Sequence, residues 1–297
     1  MLYRIITVVL VFFFGIRSAI TQEINFPADA VVNVALPPYN ADSTGKTDAT
    51  EAINKALEDN PSQGAIIYLP QGTYLISNTL VWGSGQKNTI LQGKGIGKTI
   101  IKLKDNCSGF NNAGIEKEMI YTGTDPAQRF RNALRDLTIH TGLGNPGATG
   151  AKFCANNQGG IFNVIIKSGD GTGKYGVNFA YAGENGPLLV KDVVVEGFDI
   201  GFYCSGAINS QTFSRITLKN QNQYGIYNNG QVANIEDLVS INSVPAIFNT
   251  SSTSVMTIVG AKCTGYGEAD QVPAIKNGTG AIMYAPFHLD LRLSECH

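Results

Sequence analysis

The sequence predicts an all-β fold, a solenoid of short strands, on three observations. The first is repetition. FSRITLKNQNQYGIYNNG (213–230) reads as a strand, a polar corner, a second strand and an Asn/Gly exit, and the chain keeps rewriting it. First strands recur as LRDLTIH (134–140), IFNVIIK (161–167), VKDVVVE (190–196) and IEDLVSI (235–241). Second strands recur as GAKF (150–153), GVNF (176–179), GFYC (201–204), GIYN (225–228), AIFN (246–249) and AIKN (274–277). Copies roughly 20 to 29 residues apart fall in the range of repeat architectures, and one such unit buries its apolar side only by stacking on the next. The second observation is composition. Charged residues are 15% of the 297, against about 25% in ordinary globular domains, and there are 34 glycines. The third is the shortage of helical patterning: Gly, Asn, Thr and Val suit corners and strands.

The net charge of −1 carries no basic stripe, so nucleic acid is not an expected partner. Five cysteines (Cys107, Cys154, Cys204, Cys263, Cys296) stand without any Cys-x-x-Cys, so neither a zinc site nor a redox motif is indicated.

In chain order, residues 1–22 read as a signal peptide. Arg4 supplies the positive start, Ile5–Phe14 a short apolar core, and Ser18 and Ala19 the small residues. A core of about ten residues is too short to span a bilayer. The expectation is a secreted protein, extracellular or periplasmic, with no membrane attachment after cleavage; an uncleaved anchor is the alternative. Residues 23–297 form one domain: an N-terminal cap (23–63), coils over about 64–280 and an irregular tail (281–297). Within the cap, Ala52, Ile53, Ala56 and Leu57 give one apolar face of a helix, with Thr47 or Asp48 as N-cap and Glu51 closing a capping box. Such a helix would cover the open end of the first coil. GAIIYLPQGTYLIS (64–77) is a strand, a Pro-Gln-Gly turn and a strand, and TLVWGSG, NTILQGKG and TIIKLKD continue in short strands. GKGIGK (93–98) lacks the spacing of a phosphate loop. Residues 106–132 break the rhythm and read as a long loop.

At DSTGKTDATEAI and GAIIYLPQGTYLIS the sequence resembles the start of the pectate-lyase superfamily, in its rhamnogalacturonase/epimerase-like group. Gly45, Thr47, Asp48, Thr50, Ala52 and Ile53 match its first segment, and Pro70, Gly72, Thr73 and Tyr74 its Pro-x-Gly-x-Tyr turn. RDLTIHT (135–141), ATGAKF (148–153) and GIFNVII (160–166) are similar to the first β-helix of family-55 glycoside hydrolases, exo-β-1,3-glucanases built of two such helices. The resemblance covers roughly residues 30–280 and implies a single-stranded, right-handed parallel β-helix. It implies activity only weakly, because the family spans lyases, hydrolases and structural proteins. The Asp-Asp, Gly-His-Gly and Arg-x-Lys motifs of polygalacturonase-type hydrolases are absent. Relative to the family-55 enzymes the chain holds only a first helix, whereas their acid lies in the second.

Setting Ile216 and Leu218 inward brings Leu137/Ile139, Val164/Ile166 and Val193/Val195 inward too, and leaves three outward rows. The first is Asp136, Asn163, Asp192, Arg215, Asp237; the second is His140, Lys167, Glu196, Lys219, Ile241. Their alternating signs read as charge ladders between neighbouring strands. They also offer the candidate catalytic residues Asp192, Arg215, Asp237 and Glu196. As a lyase, Arg215 or Lys219 would abstract a proton beside a uronate carboxylate, with Ca²⁺ as a possible cofactor; as a hydrolase, two acids would act about 5–9.5 Å apart. No acid cluster dense enough for calcium is visible, and no metal ligands are assigned. The third row is Lys152, Asn178, Tyr203, Tyr227, Phe248, Lys276, in which Tyr203, Tyr227 and Phe248 form an outward aromatic ladder for the faces of sugar rings. Asn228, Asn249 and Asn277 form an inward, structural ladder. The expected function is a secreted carbohydrate-active protein acting on a polysaccharide as hydrolase or lyase. The alternative is a non-catalytic carbohydrate-binding or surface-adhesion solenoid.

Overall fold

A computed structural model of the chain describes Phe26 and residues 30–285, apart from 63, 84, 85 and 268. The N-terminal segment expected as a signal peptide, Cys296 and the tail beyond 285 lie outside the described residues.

The strands wind into a parallel solenoid of about nine turns, with one α-helix among the described residues. They pair in parallel with their counterparts on the neighbouring coils, the end strands on one side only. In the early coils two separate strands, Ile66–Leu69 and Gly72–Ile76, then Ile90–Gly93 and Thr99–Leu103, build a first and a second face. Both columns then run into the single strand Ala133–His140, whose first half pairs with Ile90–Gly93 and whose second half pairs with Thr99–Leu103. Gly159–Lys167, Leu188–Glu196, Ser210–Lys219 and Val232–Ile241 cross the two faces in the same way.

The crossing is made at one residue. Asp136, Asn163, Asp192, Arg215 and Asp237 have φ of 55°, 53°, 57°, 52° and 53°, and the pairing register skips each of them. The row expected to lie along a strand is therefore a corner row. Asn and Asp tolerate the left-handed conformation better than other side chains, which accounts for four of the five residues. On the next coil Gly260 takes the position, at φ 73°.

The inward assignment holds. Leu137, Ile139, Val164, Ile166, Val193, Val195, Ile216 and Leu218 are fully buried, each contributing roughly 1.5–3 kcal/mol of transfer free energy. The third face runs through Lys117–Tyr121, Ala148–Lys152, Tyr175–Asn178, Ile200–Cys204, Tyr224–Asn228, Ile247–Asn249 and Ile275–Asn277. It packs against the second face through the small residue that opens each repeat. A Cβ on Gly150 or Gly176 would run into Ile166 or Val195, and one on Gly201 would lie 3.1 Å from Cδ2 of Leu218. The position is accordingly held by Gly150, Gly176, Gly201 and Gly225, and by the small Ala246 on the last of these coils. The Asn ladder is also present: Asn228 Nδ2 donates to Asn249 Oδ1 and Asn249 Nδ2 to Asn277 Oδ1, each at 3.0 Å.

Helix α1 (Thr50–Asp59) buries Ile53, Ala56 and Leu57. It reaches the outermost strand of the third face, Leu80–Val81. There Val81 N–H donates to Asn54 Oδ1 (2.9 Å) and Asn54 Nδ2 to the Thr79 carbonyl (3.0 Å). The expected capping box does not form. Ala49 is the N-cap without a side-chain bond, and Glu51 points to solvent. The reason is that Thr44–Asp48 is a strand paired with Gly72–Ile76, so the chain enters the helix from a sheet. Asp48 nevertheless accepts from Thr50 N–H at 2.8 Å while also holding Ser77.

Three boundaries differ from expectation. The 106–132 stretch contains a third-face strand, Lys117–Tyr121, paired on both sides, with Met119 and Ile120 buried. Its charged flanks had disguised it as loop. Coil pairing starts before residue 64, with Val32–Asn33 and Thr44–Asp48. It also continues past 280, where Ala281–Ala285 pairs with Val255–Thr264. Among the described residues no helix is long and apolar enough to cross a membrane.

Candidate saccharide-binding face

The corner row is tied up in ion pairs. Arg215 grips Asp192 with both ends of its guanidinium, Nε to Oδ1 at 2.6 Å and Nη2 to Oδ2 at 2.7 Å. This carboxylate holds the Arg215 pKa above its ordinary value. In the second row Lys219 Nζ lies 3.0 Å from Glu196 Oε2. Asp136 is buried and accepts from Gln92 (3.0 Å) and Asn163 (2.7 Å). Asp237 is exposed and has no hydrogen bond or ion pair among the described residues. Of the four groups named for chemistry, the structure thus joins Asp192 to Arg215, gives Glu196 to Lys219 and leaves Asp237 open to solvent.

Calcium does not fit this row. The ion takes six to eight oxygens, and both carboxylate oxygens of Asp192 face a guanidinium. Among the described residues no three His, Cys, Asp or Glu side chains gather as metal ligands.

The third face offers more. Its outward row runs in the expected register, Lys152 to Asn178, Tyr203, Tyr227, Phe248 and Lys276, and begins one coil earlier at Tyr121. The Tyr203 and Tyr227 rings stack with centroids 5.3 Å apart and planes 20° from parallel. Tyr175 stacks on Tyr203 at 4.6 Å and 14°. Tyr224 lies 4.9 Å from Phe248, and the Lys276 ammonium caps Phe248 at 4.5 Å. The ladder is therefore five rings, Tyr175 and Tyr224 being the two that the repeat alignment missed. Their signal was a Tyr immediately before the small-residue position, in KYG (174–176) and QYG (223–225), broken by Ile200 on the coil between.

The geometry also changes how the ladder can be used. Parallel rings about 5 Å apart cover one another's faces, so Tyr203 presents an edge and a hydroxyl to solvent rather than an open face. Burial pushes the Tyr175 phenol up to about 12, so it stays protonated and can donate as well as accept. Beside it Glu116 accepts from Asn178 Nδ2 at 2.8 Å and Thr149 Oγ1 at 3.1 Å.

At the C-terminal ends of Lys117–Tyr121, Ala148–Lys152 and Tyr175–Asn178 this face opens into a cleft of about 530 Å³. Tyr121, Asp125, Pro126, Lys152, Tyr181 and Gly183 line it. The wall at 124–128 is braced from beneath by Arg129, whose buried guanidinium donates to the Thr124 carbonyl and, at 2.8 Å, to the Gln86 carbonyl. A larger hollow of about 710 Å³ lies on the last described coils around Lys262, Cys263, Thr264 and Tyr266.

Residues 31–262 match the family described as rhamnogalacturonase A/epimerase, pectate lyase-like. The chain belongs to this family. No curated protein matches it in sequence. Among solved structures it is similar to ORF18 of Geobacillus virus E2, with 15% identity, a TM-score of 0.54, and 86% of this chain and 61% of that one covered. It is also similar to the catalytic unit of a thermostable GH87 alpha-1,3-glucanase from Streptomyces thermodiastaticus (16%, TM-score 0.55, 86% and 52% covered). A third is PfbA, a surface adhesin of Streptococcus pneumoniae (13%, TM-score 0.51, 86% and 80% covered). The chain spans about three fifths of the first of these and half of the second. At such identities the likeness is one of fold, and one fold hosts unlike functions.

Proposed function

We propose that this chain is a secreted carbohydrate-active β-helix protein that holds a polysaccharide along its third face. The observation that carries the reading is the strip of half-buried rings, Tyr175, Tyr203, Tyr224, Tyr227 and Phe248, running across successive coils, with Lys152 and the cleft on the coil beyond Tyr175. A contiguous, partly apolar strip marks an interaction surface, and phenol hydroxyls repeated at the coil spacing provide donors and acceptors for a hydroxyl-rich chain. Family membership and the glucanase among the structural neighbours are consistent with a glycan ligand. The apolar segment after Arg4 supports export.

A catalytic reading remains on the corner row, where Asp237 stands open beyond the Asp192–Arg215 pair. Absorbance near 235 nm and a reducing-sugar assay on pectin, alginate and β-1,3-glucan separate the two readings. Neither signal, from protein that binds one of these polymers, is the outcome expected of a binding solenoid. Products that disappear in Asp237→Asn would place hydrolysis or lyase chemistry on that row.

A further inference from the structure

We infer that the cleft at the end of the third face is a binding subsite for one neutral pyranose unit of the glycan, an inference that rests on the reading above. Its position is the first argument. Tyr121 and Lys152 continue the row of Tyr203 and Tyr227 past Asn178, which is buried, so the cleft begins one coil beyond Tyr175, the last ring of the ladder. Its shape is the second. About 530 Å³ falls within the range of small-molecule sites, roughly 300–1,000 Å³. Its two walls converge where a Cβ on Gly183 would lie 3.3 Å from Pro126 Cγ. The walls are fixed rather than loose: Arg129 is pinned beneath one, and the Tyr181 hydroxyl of the other donates to the Lys152 carbonyl at 3.3 Å.

The lining chemistry names the ligand class. Tyr121, Pro126 and Tyr181 give apolar surface for the C–H face of a sugar ring. Among the lining residues there is one carboxylate, Asp125, and one ammonium, Lys152, which lies 5.5 Å from the Tyr181 centroid and has no carboxylate partner among the described residues. A wall with one charge of each sign and no net charge suits neutral hydroxyls, which accept from the ammonium and donate to the carboxylate. A uronate would have only Lys152 to meet it and Asp125 to repel it. Burial pushes the Tyr121 phenol upward, so it remains a neutral donor, while the Tyr181 hydroxyl is already spent on the Lys152 carbonyl.

The test is isothermal titration calorimetry of the secreted protein with neutral gluco-, manno- and xylo-hexasaccharides and with a galacturonate hexamer. Ala182→Trp fills the cleft from an exposed position on its rim, and Gly183→Val narrows the mouth against Pro126. Asp125→Ala removes the carboxylate, and Tyr227→Ala cuts the distant ladder; circular dichroism confirms that each variant is folded. The inference predicts that a neutral hexamer binds and that Ala182→Trp, Gly183→Val and Asp125→Ala each weaken it at least tenfold. If Tyr227→Ala weakens binding while the cleft variants match wild type, the subsite is overturned and the ladder reading stands. Tighter binding of the galacturonate hexamer, lost in Lys152→Met, overturns the neutral assignment. If no hexamer binds, the subsite and the ladder reading fall together.

Discussion

Gln211 lies on Ser210–Lys219 between Leu188 and Ala233, fully buried, and neither its amide nitrogen nor its oxygen has a hydrogen-bond partner among the described residues. A buried polar group left unpaired costs roughly 1–3 kcal/mol of desolvation. Gln211→Met keeps the volume and removes that cost, so it is expected to raise the midpoint of urea unfolding at unchanged slope. A lowered midpoint would mean that the amide is satisfied in solution. His140 makes a second prediction. Burial depresses its pKa first, then the Lys167 and Lys102 ammoniums, and its Nδ1 accepts from Gly142 N–H at 2.9 Å. The folded state therefore holds a neutral imidazole, while the unfolded chain takes up a proton near 6.5. Because the unfolded state binds more protons, this contribution is complete above about pH 6.5 and is lost as pH falls below it toward the depressed folded value. Between pH 7.5 and 5.5 the wild-type unfolding midpoint should fall more than that of His140→Gln. Equal pH slopes would remove His140 from the account.

The elements were legible to the extent that their periodicity was clean. Strands with β-branched alternation, such as VKDVVVE and FSRITLK, were placed with the correct inward residues, and the third-face register was right from Lys152 to Lys276. Lys117–Tyr121 was missed because two of its five residues are charged. The corner row was read as strand because Asp and Asn in the left-handed region look, in sequence, like outward polar positions. The small-residue row follows from packing rather than turn chemistry, which makes it testable. Gly176→Val inserts a branched side chain where a Cβ already meets Val195. Overpacking of this kind costs typically ~1–3 kcal/mol, so a clear loss in urea midpoint is expected, whereas Ala246→Gly on the equivalent position should be mild. A Gly176→Val protein as stable as wild type would refute the close approach. The Asp192–Arg215 pair belongs to the same scale. Both side chains are about half exposed, and exposed ion pairs are screened and contribute little. Arg215→Ala is expected to leave the unfolding midpoint nearly unchanged and equally so in high salt. A large, salt-sensitive drop would make the corner row a structural clamp.

At the scale of the molecule, stacking coils turns a residue repeat into a linear surface, and that is why a solenoid suits a polymeric ligand. Three rings of that surface, Tyr203, Tyr227 and Phe248, were readable from the repeat. Tyr175, Tyr224 and the cleft were not, because they depend on how the strand starts and the 122–130 segment fold against neighbouring coils. The stacking of the rings was equally invisible, since register fixes which side chains adjoin but not whether their faces meet. The central claim is that a polysaccharide lies on the third face, and affinity electrophoresis tests it most directly. Folded wild type and Tyr227→Ala would be run through gels containing β-1,3-glucan, pectin or alginate. The account predicts that at least one polymer retards the wild type and that Tyr227→Ala loses most of that retardation. A wild type that no polymer slows, or a Tyr227→Ala protein slowed as much as wild type, would contradict it.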